Sequence, residues 1–212
     1  MARKPSAKQA PIDPVPAVIA ATMRLATERA WSDIPLADIA AAASLSLIEL
    51  YRLFPSKLAI LDALARQVDA AVLAAPADAA DSPRDRLFDV LMRRFDALLP
   101  SRDGLRRLTR DVRRLRLEAL PAAFALPRSM GWMLEAAGIP ATGLRGALRA
   151  RVLGAAYVSA FRAFLDDDSA DLTRTMAALD RALRRVEPLL ALPQTAGDGT
   201  AVADDAAPQQ AP

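Results

Sequence analysis

The 212-residue sequence contains neither cysteine nor histidine. Disulfides, thiolate nucleophiles and cysteine-ligated zinc sites are therefore excluded. Without histidine, Ser-His-Asp triads and HExxH metal sites are excluded as well. The sequence also shows no phosphate-binding glycine-rich loop and no recognisable pair of catalytic carboxylates. We therefore expect a protein that is not an enzyme and that uses no cofactor.

Long apolar runs are missing too. No run of about eighteen apolar residues is present, so the sequence predicts no membrane-spanning helix. The first 16 residues are polar and dotted with proline, and they lack the apolar core of a signal peptide. Together these observations predict a cytoplasmic protein.

Helical periodicity dominates what is present. Apolar residues recur at helical spacing, while β-branched alternating runs are absent, so the predicted class is all-α. Ser82 and Pro83 have the types expected at the cap and first position of a helix. Residues 1–13 are predicted to be a flexible arm, and the low-complexity residues 193–212 a disordered tail. The predicted helices are 15–30, 36–43, 47–54, 57–73, 83–99, 102–119, 121–137, 143–165 and 169–190.

Residues 36–61 (LADIAAAASLSLIELYRLFPSKLAIL) carry the most informative motif. Two short helices joined by a three-residue turn are the pattern of a helix-turn-helix. Small residues at 40–43 allow the two helices to approach closely. The side chains that we expect to face the core of this unit are Leu36, Ile39, Ala40, Leu47, Leu50, Tyr51 and Phe54.

The stretch 18–61 resembles the DNA-binding domain of the tetracycline-repressor (TetR) family. The matching pieces are an opening helix with Leu25 and Trp31, DIAAAA at 38–43, LYRLF at 50–54 and PSK at 55–57. The family usually has glycine at the turn, where this sequence has Ser44. The resemblance implies a TetR-like fold: a three-helix helix-turn-helix domain at 14–62, then a helical ligand-binding and dimerisation bundle at 63–192.

The resemblance also implies roles for individual residues. Helix 47–54 would enter the major groove of a double-stranded DNA operator. Tyr51 and Lys57 would each contact a phosphate, and Arg52 could add another. Leu47 and Ile48 can touch thymine methyl groups, and Glu49 can accept a hydrogen bond from a cytosine amino group. The predicted DNA-binding residues are Leu47, Ile48, Glu49, Tyr51, Arg52 and Lys57.

The charge of this region argues in the other direction. Residues 13–57 carry four basic and five acidic side chains, a net charge of −1. Because DNA affinity rests largely on phosphate neutralisation, such a domain should bind weakly unless the arm contributes. Arg3, Lys4 and Lys8 in the arm could reach a minor groove or a phosphate.

Two helices near the C-terminus predict a homodimer. Helix 143–165 is almost wholly apolar from Val152 onward, and a helix that is apolar on all sides has to be covered on all sides. Helix 169–190 carries a further apolar stripe. Two such helices from each chain would form a four-helix interface with two-fold symmetry, although an intrachain core is the alternative. The predicted interface residues are Val152, Ala156, Leu172, Met176, Leu179 and Leu183.

Methionine and aromatic residues concentrate in the C-terminal half. Such residues suit adaptable apolar sites, although they also build ordinary cores. Few polar side chains accompany them, which favours an apolar or lipid-like small-molecule effector. The predicted pocket residues are Phe88, Met92, Phe95, Met130, Trp132, Met133, Tyr157 and Phe161.

Helix 102–119 carries seven arginines against three acidic residues, a net charge of +4. The commonest interpretation of such a helix is a solvated face. The alternative is contact with an anionic membrane. The arginines that would make this contact are Arg106, Arg110, Arg113 and Arg114.

Residues 164–187 (FLDDDSADLTRTMAALDRALRRVE) are similar to the C-terminal motif of the coenzyme Q biosynthesis accessory family, lipid-binding proteins with a TetR-like fold. This resemblance implies binding of an isoprenoid lipid instead of DNA. A plainer interpretation is that Asp168 or Ser169 caps the last helix. The matching positions are Asp166, Asp168, Ser169, Asp171, Thr175, Leu179, Asp180 and Arg181.

Two functions therefore compete. The first is a dimeric TetR-type transcriptional regulator, by family default a repressor, controlled by an apolar effector. The alternative is a non-enzymatic lipid-binding accessory protein of ubiquinone biosynthesis with a degenerate helix-turn-helix. The intact DIAAAA, LYRLF and PSK pieces favour the regulator. The net charge of −1, Glu49 and the arginine-rich helix favour the accessory protein.

Overall fold

The computed structural model describes residues 13–75, 81–114 and 120–190 and, within them, the side chains outside 112–125. The predicted arm up to residue 12 and the predicted tail at 193–212 lie outside the described residues. In the described ranges the chain forms α-helices and no β-strand, which confirms the predicted all-α class. The helices are α1 (Val15–Glu28), α2 (Leu36–Ala42), α3 (Leu47–Leu53), α4 (Lys57–Leu73), α5 (Pro83–Leu98), α6 (Arg102–Arg114), α7 (Leu120–Ala136), α8 (Gly143–Leu165) and α9 (Thr173–Leu190).

Local capping chemistry explains why several helices begin where the sequence predicts. The Ser82 hydroxyl accepts a hydrogen bond from the Asp85 N–H at 3.2 Å, and Pro83 occupies the first position of α5. Ser56 caps α4 in the same way, since its hydroxyl accepts from the Ala59 N–H at 3.3 Å. Each cap satisfies one of the backbone donors that a helix start leaves without an intrahelical partner.

The last helix begins four residues later than predicted. Leu172 adopts a left-handed φ of 53°, which interrupts helical geometry, so α9 starts at Thr173. The Ser169 hydroxyl accepts a hydrogen bond from the Thr173 N–H at 3.0 Å, in agreement with the plainer interpretation of this segment. Asp168 has no such contact with the helix start among the described residues.

A buried carboxylate holds the same turn together. Asp167 is fully buried and accepts hydrogen bonds from the backbone N–H and hydroxyl groups of both Ser169 and Thr175, those from Thr175 at 2.7 Å. Burial alone raises the pKa of Asp167, but these hydrogen bonds outweigh it and hold the pKa at about 2. The sequence comparison singled out the neighbours of Asp167 and missed this residue.

Helices α1 to α3 enclose a small apolar core. The predicted core positions on α2 are confirmed, with Ile39 and Ala40 almost completely buried and Leu36 packed at their edge. On α3, Leu50 is buried, as is Phe54 just after the helix. The predicted core contacts of Leu47 and Tyr51 are wrong. Both side chains lie on the opposite, solvent-facing side of α3, where they are 54% and 69% exposed.

The remaining helices continue this core. Helix α4 follows from the N-terminal unit, which is formed by α1 to α3 and the first residues of α4, and packs against α5 and α7. Helix α8 lies between α7 and α9. Helix α6 packs against both α1 and α8, so it joins the N-terminal unit to the C-terminal helices. No helix in the described ranges combines the length and apolarity needed to cross a bilayer.

The packing of α8 and α9 within one chain corrects four of the six residues predicted for the dimer interface. These four are at most 5% exposed, because α8, α9 and their neighbours cover them within one chain. Their apolar spacing therefore reflects the intrachain core that was the alternative interpretation. Val152 and Met176 are half-buried. The four buried residues are Ala156, Leu172, Leu179 and Leu183.

Candidate nucleic-acid interface and effector region

The turn between α2 and α3 has the geometry that favours glycine. Ser44 adopts a φ of 59°, and its N–H donates to the Ala41 carbonyl at 3.0 Å. The next N–H, that of Leu45, donates to the Ala40 carbonyl at 2.9 Å. These two bonds form a Schellman termination of α2, in which the left-handed residue is usually glycine. Ser44 therefore keeps the turn but carries the strain of a side chain in this conformation.

The start of α3 is fixed by a capping box. The Glu49 N–H donates to the Ser46 hydroxyl at 3.4 Å, and Glu49 Oε2 accepts from the Ser46 N–H at 2.8 Å and the Ser46 hydroxyl at 2.5 Å. These hydrogen bonds lower the pKa of the Glu49 carboxyl. Our prediction for Glu49 considered only DNA. The local signal, a serine followed three residues later by glutamate, was present in the sequence.

One face of α3 is open to solvent. Leu47, Ile48 and Tyr51 are 54%, 55% and 69% exposed, and Arg52 is exposed beside them. These positions form two adjacent rows on one side of the helix, because Tyr51 lies four residues after Leu47 and Arg52 lies four residues after Ile48. Leu50 anchors the opposite face in the core. The structure therefore brings four of the six predicted DNA-binding residues together on one surface.

The fifth predicted residue, Lys57, is turned inward. Its ammonium group donates to the Trp31 carbonyl at 2.7 Å and to the Ile34 carbonyl at 3.0 Å, and it lies 4.8 Å from the centre of the Trp31 ring. The side chain thus ties the first residue of α4 to the segment before α2. Nothing in the local sequence indicates this contact, because the partners lie 26 and 23 residues away.

Two of the basic side chains of the N-terminal unit are bound to partners within the same unit. Arg29 pairs with Asp38 at 2.7 Å, and Lys57 is bound to carbonyl groups. Of the four basic residues counted between 13 and 57, this leaves Arg24 and Arg52 without a salt bridge to any described residue. Arg52 lies on the open face of α3.

The N-terminal unit also has a clear relationship in sequence. Residues 18–64 match the family described as "Bacterial regulatory proteins, tetR family". The match covers most of α1, all of α2 and α3, and the first turns of α4. Residues 18–64 form a TetR-type helix-turn-helix domain.

The chain as a whole is similar to solved TetR structures. The TetR transcriptional regulator from Nitrosomonas europaea ATCC 19718 is 26% identical, with a TM-score of 0.63, over 82% of this chain and 99% of that one. A TetR transcriptional regulator from Rhodococcus sp. RHA1 is 22% identical, with a TM-score of 0.58, over 86% and 97%. In sequence, the chain matches none of the curated proteins. The predicted TetR-like fold is confirmed.

Most residues of the predicted effector pocket fill the TetR-type core instead of lining a space. The ring centres of Phe95 and Tyr157 are 5.1 Å apart and stacked, and those of Tyr157 and Phe161 are 5.9 Å apart. Met130 and Met133 are fully buried. Trp132 is corrected, because it is 55% exposed and lies on the outer side of α7. Phe88, Met92 and Phe161 are half-buried at the edge of the cluster.

A buried ion pair lies beside this aromatic cluster and was missed by the sequence analysis. Arg94 of α5 pairs with Asp69 of α4, and the Ser129 hydroxyl donates to the same carboxylate at 2.7 Å. The Arg94 guanidinium lies 5.4 Å from the centre of the Tyr157 ring. Burial raises the pKa of Tyr157, and Arg94 acts against that rise. The network connects α4, α5, α7 and α8.

Two cavities lie between α7 and α8, away from the predicted pocket. One measures about 430 Å³ and the other about 350 Å³, and both are bordered by Pro127 and Arg151. None of the predicted pocket residues borders either cavity. The space was not predicted because it arises where small residues of α8 face the neighbouring helix α7, and apolar periodicity does not reveal how closely two helices pack.

The arginines in the first half of α6 make contacts inside the chain. Arg106 donates to the Leu165 carbonyl and pairs with Asp168 at 3.1 Å, and Arg102 donates to the Asp167 carbonyl. The predicted membrane contact is corrected for Arg106, whose guanidinium already has these partners. Arg110 is exposed. The side chains of Arg113 and Arg114 lie outside the described residues.

Proposed function

We propose that the chain is a TetR-type transcriptional regulator that binds double-stranded DNA. The open face of α3 carries this proposal, because Leu47, Ile48, Tyr51 and Arg52 stand in solvent on a helix anchored from behind by Leu50. A short, well-capped helix with such a face is suited to insertion into a major groove. The family match of residues 18–64 and the similarity to the Nitrosomonas europaea regulator support the same function.

We divide the contacts to DNA by chemistry. Leu47 and Ile48, in the first turn of α3, are proposed to meet thymine methyl groups. Tyr51 and Arg52 are proposed to bind phosphates through a hydroxyl and a guanidinium. Glu49 is proposed to support α3 through its capping box, since a carboxylate engaged by Ser46 is poorly placed to read a cytosine. Lys57 is proposed to position the start of α4, because its ammonium group is bound to two carbonyls.

The regulator is proposed to act as a homodimer. Leu144 and Leu148 of α8 are 87% and 49% exposed, and a second chain packed on this side would cover them. Two recognition helices held about 34 Å apart would match successive major grooves. A small apolar effector bound near Phe88, Met92 and Phe161 would change that spacing and so the DNA affinity, which for a repressor releases the operator.

The test is retention of fragmented genomic DNA by the purified full-length chain at moderate salt, followed by sequencing. We expect enrichment of a pseudo-palindrome. Arg52→Ala should lower affinity for that site and flatten its salt dependence by about one unit of slope. Arg181→Ala is the matched control, since Arg181 is an exposed arginine on α9, far along the chain from α3.

Two results would contradict the proposal. One is the absence of any enriched sequence although the protein is folded and dimeric. The other is an equal loss of affinity in Arg52→Ala and Arg181→Ala, which would show that binding depends on net charge and not on α3.

The lipid-binding alternative has one observation in its favour. Arg29 and Lys57, two of the basic side chains of the N-terminal unit, are bound to internal partners. An accessory protein of quinone biosynthesis would enrich no DNA sequence, and isoprenoid lipid would be extracted from the purified chain. The same preparation therefore separates the two functions.

A further inference from the structure

We infer that the exposed face of α6 that carries Arg107 and Arg110 binds phosphate groups of the DNA backbone. The inference rests on the proposed DNA binding and adds to it a contact surface outside the helix-turn-helix. Residues 13–57, which include α1 to α3, carry a net charge of −1, and DNA affinity depends largely on neutralising phosphates. Residues 102–114, which form α6, carry six arginines and two aspartates, a net charge of +4. Helix α6 therefore offers the positive charge that α1 to α3 lack.

Helix α6 lies alongside α1 and runs in the same direction. A Cβ atom on Gly104 would lie 2.5 Å from the Met23 carbonyl oxygen, so the two backbones are in close contact at this point. Seven residues later on α6, the Asp111 carboxylate accepts a hydrogen bond from the backbone N–H of Trp31 at 3.0 Å. The second half of α6 therefore reaches the segment between α1 and α2.

This contact brings α6 to the part of the domain that meets the DNA backbone. In a helix-turn-helix, the second helix lies in the major groove while the first crosses the backbone. In this chain these helices are α3 and α2, and the segment held by Asp111 leads into α2. Arg110 is the chain neighbour of Asp111, and Arg107 lies three residues earlier on the same side of α6. We therefore place both arginines beside the DNA strand that α2 crosses.

Arg107 and Arg110 are available for a new partner. Both side chains are exposed, and neither forms a salt bridge with a described residue. Arg107 makes one long hydrogen bond, to the Thr27 carbonyl at 3.4 Å. By contrast, Arg102 and Arg106 point to another side of α6, where each donates to a carbonyl group at the end of α8 or just after it. An exposed guanidinium can bind a phosphate through two parallel hydrogen bonds.

The proposed dimer contact lies at the other end of α8. Leu144 and Leu148 are near the start of that helix, whereas Arg106 of α6 contacts Leu165 at its end. The 17 residues between Leu148 and Leu165 correspond to about 25 Å along the helix axis. A second chain that covers Leu144 and Leu148 is therefore bound far from the place where α6 meets α8.

An anionic membrane offers the same phosphate chemistry, but α6 is poorly suited to it. A helix that lies on a bilayer needs an apolar face to insert beside its basic one. Leu105 and Leu108, the apolar side chains in the described part of α6, pack into the protein core. The contact of Asp111 with Trp31 also ties α6 to the DNA-binding unit. These two observations favour DNA.

The test is a fluorescence anisotropy titration of the full-length chain at several salt concentrations. The probes are the duplex enriched from genomic DNA and a duplex of unrelated sequence. The double substitution Arg107→Gln, Arg110→Gln should lower the salt slope by about two units and weaken binding to the enriched duplex by about tenfold or more at moderate salt. Binding to both duplexes should fall by the same factor, because phosphate contacts carry no sequence information.

The matched control is Arg181→Gln, Arg185→Gln, which removes the same charge from exposed positions on α9. An unchanged slope in the α6 variant, or an equal loss in both variants, would overturn the inference and leave the DNA binding of the parent chain intact. Failure of the parent chain to bind either duplex would overturn the proposed function and this inference together.

A cross-linking experiment tests the position of α6. Because the sequence has no cysteine, Arg110→Cys introduces a unique thiol that can carry a photoactivated azidophenacyl group. We expect this group to cross-link to the bound duplex, and the same group on Arg181→Cys to give no cross-link. Absence of cross-linking from position 110 while the duplex stays bound would overturn the inference.

Sedimentation with vesicles of phosphatidylserine and phosphatidylcholine tests the membrane. We expect no binding that depends on Arg107 and Arg110. Vesicle binding that is lost in Arg107→Gln, Arg110→Gln, together with an unchanged salt slope for DNA, would assign this face of α6 to a membrane and overturn the inference.

Discussion

The Asp111 carboxylate on α6 accepts a hydrogen bond from the Trp31 backbone N–H at 3.0 Å, across 80 residues of sequence. The carbonyl of the same Trp31 accepts from Lys57 at 2.7 Å. The segment that leads into α2 is therefore fixed through both peptide groups of Trp31. Lys57 on α4 binds the carbonyl, and Asp111 on α6 binds the N–H.

Removing the Asp111 contact should loosen this segment. Asp111→Ala leaves the partly buried Trp31 N–H without its acceptor, and we expect a loss of about 1–2 kcal/mol in the free energy of unfolding. Urea unfolding followed by tryptophan fluorescence measures it. Asp103→Ala is the control, because Asp103 is exposed on the same helix. Equal stability of both variants and the parent chain would contradict the assignment.

The capping box separates two roles of Glu49. Glutamine at this position can still accept from the Ser46 N–H, so Glu49→Gln should leave the free energy of unfolding nearly unchanged. Glu49→Ala loses one half of the box and should lower the free energy of unfolding measurably. Because Glu49→Gln removes a negative charge from α3, we also expect tighter DNA binding. A fluorescence anisotropy titration measures the affinity, and unchanged or weaker binding would indicate that the charge itself contacts a base.

The turn residue offers a stabilising substitution. Ser44→Gly relieves a left-handed conformation at φ 59° and should raise the free energy of unfolding by about 1 kcal/mol. Ser44→Ala keeps a Cβ atom and should bring no such gain. Thermal or urea unfolding of the three chains makes the comparison, and an equal gain in both variants would locate the effect in the lost hydroxyl.

The buried Asp167 carboxylate predicts that the folded chain loses stability in acid. Its pKa lies at about 2 in the folded chain, below the ordinary 3.8, so the folded state favours the ionised form. The resulting stabilisation, about 2 kcal/mol, is complete well above pH 4 and is lost as the pH falls from about 4 to about 2. Asp167→Asn should lack this component. Unfolding measured between pH 7 and pH 2 should show the two chains converging in acid, and a constant difference would contradict the role.

The approach of α6 to α1 depends on one glycine. A Cβ atom on Gly104 would lie 2.5 Å from the Met23 carbonyl oxygen, a distance that backbone atoms cannot accommodate. Gly104→Ala should therefore destabilise the chain by more than about 2 kcal/mol. Gly131→Ala in α7 is the matched control, since among the described residues its added Cβ would meet only Ala141, at 4.0 Å. That change should be neutral or stabilising by up to about 1 kcal/mol, and equal losses in both variants would contradict the steric reason.

The sequence predicts this fold well because the residues that set several helix boundaries lie within one turn of those boundaries. Serine caps and prolines such as Ser82 and Pro83 act within one turn, and they are visible without any tertiary information. The start of α9 was misplaced because it depends on the backbone of Leu172 and on the side chain of Asp167, which reaches eight residues forward.

The sites were harder to predict for a different reason. Apolar periodicity shows that Leu179 and Leu183 are buried, but not whether their own chain or another one covers them. The inward turn of Lys57 and the pairing of Arg94 with Asp69 depend on residues more than twenty positions apart, which no local pattern reveals. The capping box of Glu49, in contrast, could have been predicted from the local pattern of a serine followed three residues later by glutamate.

The contact of Gly104 with Met23 has a consequence for how such chains can be recombined. If the N-terminal unit with Met23 were moved onto the C-terminal helices of another chain, the helix that packs against α1 would need a residue without a side chain at this point. The two parts are therefore not freely interchangeable, and a working chimera should carry Gly104 together with the N-terminal unit.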